Sequence, residues 1–279
     1  MQAFSSSIPW TFPVGTLGEL TRQSEARAQA VTSQIGDLTA RCRDLPPALP
    51  FAPTLRGDQL RVIAEVKRAS PSKGAIAPGL DAVAQASAYV RGGAAAISVL
   101  TEPARFGGSL EDLQRVSAAV TVPTIRKDFL VAPVQLLEAR VAGASVVLLI
   151  VRALAPDQLP RLMDTAREIG LATLIEIRDE RELERALAVG AAVIGVNNRN
   201  LETLVIDQAT APALIPKIPG AIIGVAESGI TQPSDLAAPA AAGADAVLVG
   251  SAISASADPE VAVRALASVP RQSAVRGNL

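Results

Sequence analysis

The segment Val62-Ile-Ala-Glu-Val-Lys-Arg-Ala-Ser-Pro-Ser-Lys-Gly74 sets Glu65 and Lys67 two residues apart. In an extended chain residues so spaced share a face, so the pair forms either an acid and base held for a reaction or a plain inward salt bridge. Arg126-Lys-Asp-Phe-Leu130 holds Lys127, either a solvated lysine or a poised acid. Two lysines converging in one place depress each other's pKa, whereas carboxylates or a phosphate raise it, and the sequence leaves both balances open. Glu176, in Leu174-Ile-Glu-Ile177, has apolar neighbours, so it reads either as a base tuned by desolvation or as a salt-bridge partner of Lys127 or Lys67. In Gly195-Val-Asn-Asn-Arg-Asn-Leu-Glu-Thr203, Asn197 is suited to a substrate hydroxyl and Arg199 to a carboxylate, although Asn-rich loops also simply make turns. Ala226-Glu-Ser-Gly-Ile230 and Gly250-Ser251 offer backbone N–H groups and hydroxyls to a phosphate, or else mark tight turns. The chain has no histidine, which removes Ser-His and Cys-His nucleophiles and the commonest transition-metal ligand.

These residues sit at the ends of short apolar runs. Eight runs alternate with segments of helical period: 60–67, 94–100, 122–127, 145–151, 171–177, 192–197, 221–226 and 245–250. Near-continuous apolar strands separated by helices are what a parallel sheet covered on both faces requires. Gly93-Ala94, Gly143-Ala144, Gly190-Ala191 and Gly243-Ala244 precede the even-numbered runs at intervals of 50, 47 and 53 residues. That period is twice one strand and helix unit, and each glycine suits the left-handed turn that ends a helix. Lys67, Lys127, Glu176 and Glu227 lie at the C-terminal ends of the odd runs, where barrel active sites are built. The pattern predicts an α/β fold, a (β/α)8 TIM barrel, over residues 60–279. An N-terminal helical extension fills residues 1–59, with one helix over 17–45 halted by the prolines that follow Leu45, and the whole forms a single domain.

Composition narrows the function classes. The net charge is −1 with no block of like charge, so neither nucleic acid nor an anionic membrane surface is expected as a partner. The longest apolar run, 141–151, is too short to span a membrane, the first fifteen residues lack the pattern of a secretory signal, and Cys42 is the single cysteine. A cytoplasmic protein is expected, as a monomer or weak homodimer.

The strings Ile63-Ala-Glu-Val-Lys-Arg-Ala-Ser-Pro-Ser-Lys-Gly74, Ile97-Ser-Val-Leu-Thr101, Phe106-Gly-Gly-Ser-Leu110, Arg126-Lys-Asp-Phe129, Leu148-Leu-Ile-Val151, Val196-Asn-Asn-Arg-Asn-Leu201 and Glu227-Ser-Gly-Ile230 closely resemble the indole-3-glycerol phosphate synthase family, over Phe51 to about Ala265. The resemblance implies a carboxy-lyase of tryptophan biosynthesis that closes the ring of a small phosphorylated substrate, 1-(2-carboxyphenylamino)-1-deoxyribulose 5-phosphate, to indole-3-glycerol phosphate, with loss of CO2 and water. It implies no cofactor and no metal. By motif position, Lys127 resembles the general acid and Lys67 the partner of the anthranilate carboxylate and a further proton donor. Glu176 resembles the base of the later deprotonation and dehydration, while Glu65, Asn197, Glu227 and Ser228 would orient the lysines and the ribulose hydroxyls.

For binding, Ser70, Gly229, Gly250 and Ser251 resemble the phosphate ligands and Arg199 a carboxylate contact. Phe106, Phe129, Leu148 and Leu201 would wall in the aromatic ring. The family's N-terminal helix covers the barrel mouth and often bears lysines; residues 17–45 have none. Phosphoribosylanthranilate isomerase shares the phosphate logic but relies on a cysteine and an aspartate, and Cys42 lies in the extension. A barrel that binds the ligand without turnover would not need four inward charges.

Overall fold

The computed structural model describes residues 10–272 and Arg276; the first nine residues of the stretch read for a secretory signal lie outside them. Eight parallel strands close into a barrel in sequence order: β1 (Arg61–Val66), β2 (Ala96–Leu100), β3 (Thr124–Lys127), β4 (Val146–Ile150), β5 (Ala172–Ile177), β6 (Val193–Asn197), β7 (Ile223–Glu227) and β8 (Ala246–Val249), the last pairing back onto β1. The (β/α)8 expectation holds, and each strand's ends lie within two residues of its predicted run. All eight are buried almost throughout, which is why their sequences are continuously apolar rather than alternating.

The repeated glycines end helices as predicted. Gly93, Gly143, Gly190 and Gly243 have φ of 95°, 87°, 70° and 84°. The residue after each donates its N–H back five positions, as Ala144 does to Ala139, and each glycine donates back three. This double closure satisfies the last helical carbonyls and turns the chain straight into the next even strand.

Two apolar layers follow from strand alternation. Outward residues such as Val62, Ala64 and Val99 pack under the surrounding helices. Inward residues fill the barrel, with Ile63, Ile125, Leu174 and Val225 from the odd strands forming a plug two residues below the mouth.

The extension differs from the single helix predicted over 17–45. It folds as α1 (Gly15–Val31) and α2 (Ile35–Arg43), separated by a 3-10 turn at Thr32–Gln34. Thr32 Oγ1 donates back to the Ala28 carbonyl at 2.9 Å, a local bond that competes with helical pairing, and Gly36 lowers helix propensity just beyond. Leu17 and Leu20 of α1, with Phe51 and Leu55, join the same cluster as the barrel interior. Arg27 Nη2 donates to Asp128 Oδ1 at 2.7 Å, and Asp128 also accepts from the Phe129 N–H and Thr101 Oγ1, each at 2.8 Å. Asp128, beside Lys127, thus clamps the end of β3 to the extension, while Arg126 Nη1 donates to the Gln135 carbonyl at 2.6 Å.

Leu20 is 1% exposed at this junction. Leu20→Ala is expected to cost about 2–5 kcal/mol, measured as the shift of one cooperative urea transition followed by both tryptophan fluorescence and far-UV signal. A separate early transition for the extension would contradict its sharing the barrel core.

Candidate active site

Four side chains from the odd strands form one charged layer at the C-terminal end of the barrel. Lys127 Nζ, from the end of β3, lies 3.4 Å from Glu176 Oε2 on β5 and 3.6 Å from Glu227 Oε2 at the end of β7. Opposite, Lys67 Nζ contacts Glu65 Oε1 of β1, as two residues on one face of a strand should. All three carboxyls are buried. The glutamates need unusual room, and two glycines supply it. A Cβ on Gly195 of β6 would collide with Glu227 Oε1, and one on Gly250 would collide with Glu65 Oε1.

The electrostatics follow from three buried carboxyls facing two ammoniums. Burial works against the charge of Lys127, but the Glu176, Glu227 and Glu65 carboxylates outweigh it and hold its pKa above the ordinary lysine value. Glu227 is the group that yields. Burial above all, with the charges of Glu176 and Glu65, pushes it up to about 8 against the pull of Lys127. Its Oε1 is buried without a hydrogen-bond partner among the described residues, an oxygen left for something that enters the mouth.

The mouth is an open cavity of about 710 Å³. Glu65, Lys67 and Lys127 reach its floor, and Asn197, Arg199 and Ser228 its side. Asn197 Oδ1 accepts from the Arg199 N–H at 2.9 Å, while Asn198 and Asn200 bond the loop backbone. The Asn-rich segment therefore makes a turn and presents Arg199 at once. Arg199 Nη1 donates to the Leu204 carbonyl at 2.9 Å, and its pKa is lowered by burial with no acidic partner among the described residues. Phe106 and Phe129, with ring centroids 6.2 Å apart, stand with Leu148 and Leu201 as an apolar wall.

Next to this space, Gly229, Gly250 and Ser251 surround a second lobe together with Glu227 and Lys73. Ser228 holds φ of 66°, rare for a residue with a Cβ, and Gly229 follows at 85°. Ser251 opens a one-turn helix, Ser251–Ser254, that the sequence pattern did not predict. Ser70 lines the main cavity, where its Oγ accepts from the Lys73 N–H at 3.2 Å in a small hairpin of Ala69–Ser70 with Gly74–Ala75, also unforeseen. Glu176 faces an adjoining side chamber rather than the main cavity, which meets it through Asn197 and Arg199.

Some lining residues were not singled out from the sequence. Thr16 and Leu20 bring α1 over the mouth, Ile150 adds to the apolar side, and Lys73 is a third lysine there. The signal for Lys73 was available, since the chain has four lysines and three of them gather at the mouth. Leu20 gave none, because only the docking of α1 brings it in.

A closed barrel whose strand ends join paired lysines and glutamates to two glycine-serine loops defines a barrel enzyme of acid–base chemistry on a phosphorylated small molecule. Residues 19–266 match the sequence profile described as indole-3-glycerol phosphate synthase, and the chain belongs to that family. Among its relatives, indole-3-glycerol phosphate synthase 1 of Streptomyces coelicolor is 49% identical over 91% of this chain and 93% of its own, and the indole-3-glycerol phosphate synthase of a Nocardioides species is 52% identical over 88% and 94%. The 3-hexulose-6-phosphate synthase structure from Salmonella typhimurium aligns with a TM-score of 0.61 at 15% identity, covering 75% of this chain and 97% of that one, which speaks to the fold alone. The chain is thus a carboxy-lyase that cyclises 1-(2-carboxyphenylamino)-1-deoxyribulose 5-phosphate to indole-3-glycerol phosphate with loss of CO2 and water, in tryptophan biosynthesis.

The raised Glu227 pKa has a consequence for stability. The folded state keeps a proton that the unfolded chain gives up near 4.5, so this group's contribution is full below pH 4.5 and is lost as pH rises toward about 8. Glu227→Gln, which mimics the protonated carboxyl, is expected to gain stability over the wild type across that window, read from urea midpoints. A difference independent of pH would contradict the assignment.

Proposed function

We propose that Lys127 is the general acid of this cyclisation, Glu176 the base, and Lys67 the partner of the anthranilate carboxylate and a second proton donor. The observation that carries the reading is Lys127 Nζ seated between Glu176 and Glu227 on the barrel floor. As the aromatic ring attacks the ribulose carbonyl, negative charge grows on its oxygen, and Lys127 supplies the proton. A lysine held above its ordinary pKa is a weak acid at rest, yet an alkoxide is far more basic still, so the transfer runs downhill once charge has developed. Loss of CO2 restores the aromatic ring. Glu176 then removes the carbon-bound proton while a second proton converts the hydroxyl into departing water.

The remaining groups position the substrate. Glu227, protonated at neutral pH and with Oε1 unpaired, can donate to or accept from a ribulose hydroxyl, alongside Asn197 and Ser228. Glu65 holds Lys67 in place. The phosphate is assigned to Ser70, Gly229, Gly250 and Ser251, with Lys73 beside them, and the substrate carboxylate to Arg199. Phe106, Phe129, Leu148 and Leu201 would flank the anthranilate ring. No helix among the described residues is long and apolar enough to cross a membrane. We read the protein as a cytoplasmic monomer or weak homodimer, and a net charge of −1 without a block of like charge argues against nucleic acid as a partner.

Lys127→Met is expected to lower kcat by about 10²–10⁴-fold while a substrate analogue with its ketone reduced still binds within severalfold of the wild-type Kd. Growth of indole fluorescence measures the rate. Glu176→Gln should likewise fall in kcat with KM little changed. A near-normal rate for the first variant, or a defect confined to KM for the second, would contradict these roles.

A further inference from the structure

The reaction has a proton balance that the mouth alone does not close. With the substrate carboxylate ionised, two protons end on the former carbonyl oxygen, which leaves as water, and one proton is lost from carbon. CO2 departs without a proton and leaves its bonding electrons in the ring. Two protons given and one returned leave a net uptake of one proton from solvent in every turnover. That proton must reach a floor covered by α1 and by the substrate itself.

The side chamber behind Glu176 offers a way in. It is an open space of about 510 Å³, and its far wall carries Arg178, Asp179 and Glu182, at the end of β5 and the start of α7 (Glu180–Ala188), which follows α3 (Ala82–Arg91), α4 (Leu110–Ala119), α5 (Pro133–Val141) and α6 (Gln158–Glu168) around the barrel. Arg152, Asp179 and Glu182 line both this chamber and a groove on the outer surface beside Trp10 and Pro156, so Glu182 borders the space beside Glu176 on one side and the groove on the other. The walls are polar, and the space is many times the roughly 30 Å³ of one water molecule. Arg178 keeps a buried Nε without a hydrogen-bond partner among the described residues.

We propose that Glu182 relays protons from the outer groove through this side chamber to the pair of Glu176 and Lys127, one per turnover. The proposal rests on the assignment of those two residues as base and acid. Glu182 Oε2 accepts from the Arg178 N–H at 2.7 Å, and the Glu182 N–H donates to Asp179 Oδ1 at 2.9 Å. The charges around it are Asp179 on the same turn, Glu176 on β5, Arg152 after β4 and Arg185 one turn further along α7. Burial first, and then Asp179 and Glu176, lift its pKa to about 7 against the Arg178 N–H and Arg152. A group that binds and releases protons equally well at neutral pH is suited to passing them on.

Glu182→Gln separates relay from scaffold, because glutamine keeps the acceptor for the Arg178 N–H and serves the helix start equally well. With the carboxyphenylamino-deoxyribulose phosphate as substrate, kcat is expected to fall about tenfold or more, with KM within twofold and a larger solvent isotope effect, and added imidazole should restore the rate in proportion to its concentration. Glu182→Asp, which still titrates, should recover most of the loss. Unchanged kcat in the glutamine variant, or a loss that neither imidazole nor aspartate repairs, would overturn the relay. Should that variant fail to fold, wild-type kcat in mixtures of H2O and D2O decides: a curved dependence supports several protons in flight, and a linear or absent one overturns it. A wild type that forms no indole would instead overturn the reaction, and a fully active Lys127→Met the acid on which the relay rests.

Discussion

Burying charge without stranding it is the constraint on which the rest of this molecule depends. Three glutamates and two lysines share the floor of the barrel mouth, and a buried charge persists only beside a partner. Neighbouring positions are arranged around that requirement. Gly195 and Gly250 leave the volume that the Glu227 and Glu65 carboxyls occupy. The plug of Ile63, Ile125, Leu174 and Val225 closes the barrel beneath them, so the layer is desolvated from below. From above, α1 reaches the cavity with Thr16 and Leu20, while Arg27 and Asp128 hold the end of β3 and hence Lys127 in register.

The same layer explains how a floor rich in carboxylates accepts a trianionic substrate. Protonation of Glu227 removes the excess negative charge, and Arg199, Lys73 and the backbone at Gly229 and Gly250 face the lobes where carboxylate and phosphate would sit. As the proposed acid, Lys127 would keep its proton until an oxygen of high basicity appears, which would tie the transfer to bond formation rather than to substrate entry. The proposed relay would tie the one proton consumed per turnover to the side chamber and to Glu182 at its far wall.

Much of this was legible in the residues. A parallel barrel buries both faces of every strand, so the strands read as apolar runs, and the helix-ending glycines mark every second one. Charged residues at the ends of those runs stand out against an apolar background, which is why Glu65, Lys67, Lys127 and Glu176 could be singled out from their spacing. What the residues withheld depends on tertiary contact. The break in the extension lies between a first half whose Leu17 and Leu20 join the barrel interior and a second whose Leu38 and Cys42 pack with Val134 and Leu137. The Ser70 hairpin and the Ser251 helix are too short to carry a period. That Glu176 opens onto a second chamber, and that Gly250 makes space for Glu65 as well as lining the second lobe, emerges only when strands are set side by side.

The most direct test of the charged layer is the ionisation of Lys127 itself. With four lysines in the chain, side-chain 15N labelling gives a spectrum in which Lys127 is assigned by comparison with Lys127→Met. Titration of the ligand-free protein should show its Nζ as an ammonium past pH 10.5, the ordinary lysine value. A Lys127 that becomes neutral near pH 7 would mean that desolvation, not the three carboxyls, governs the site, and would contradict a general acid held charged by its glutamate neighbours.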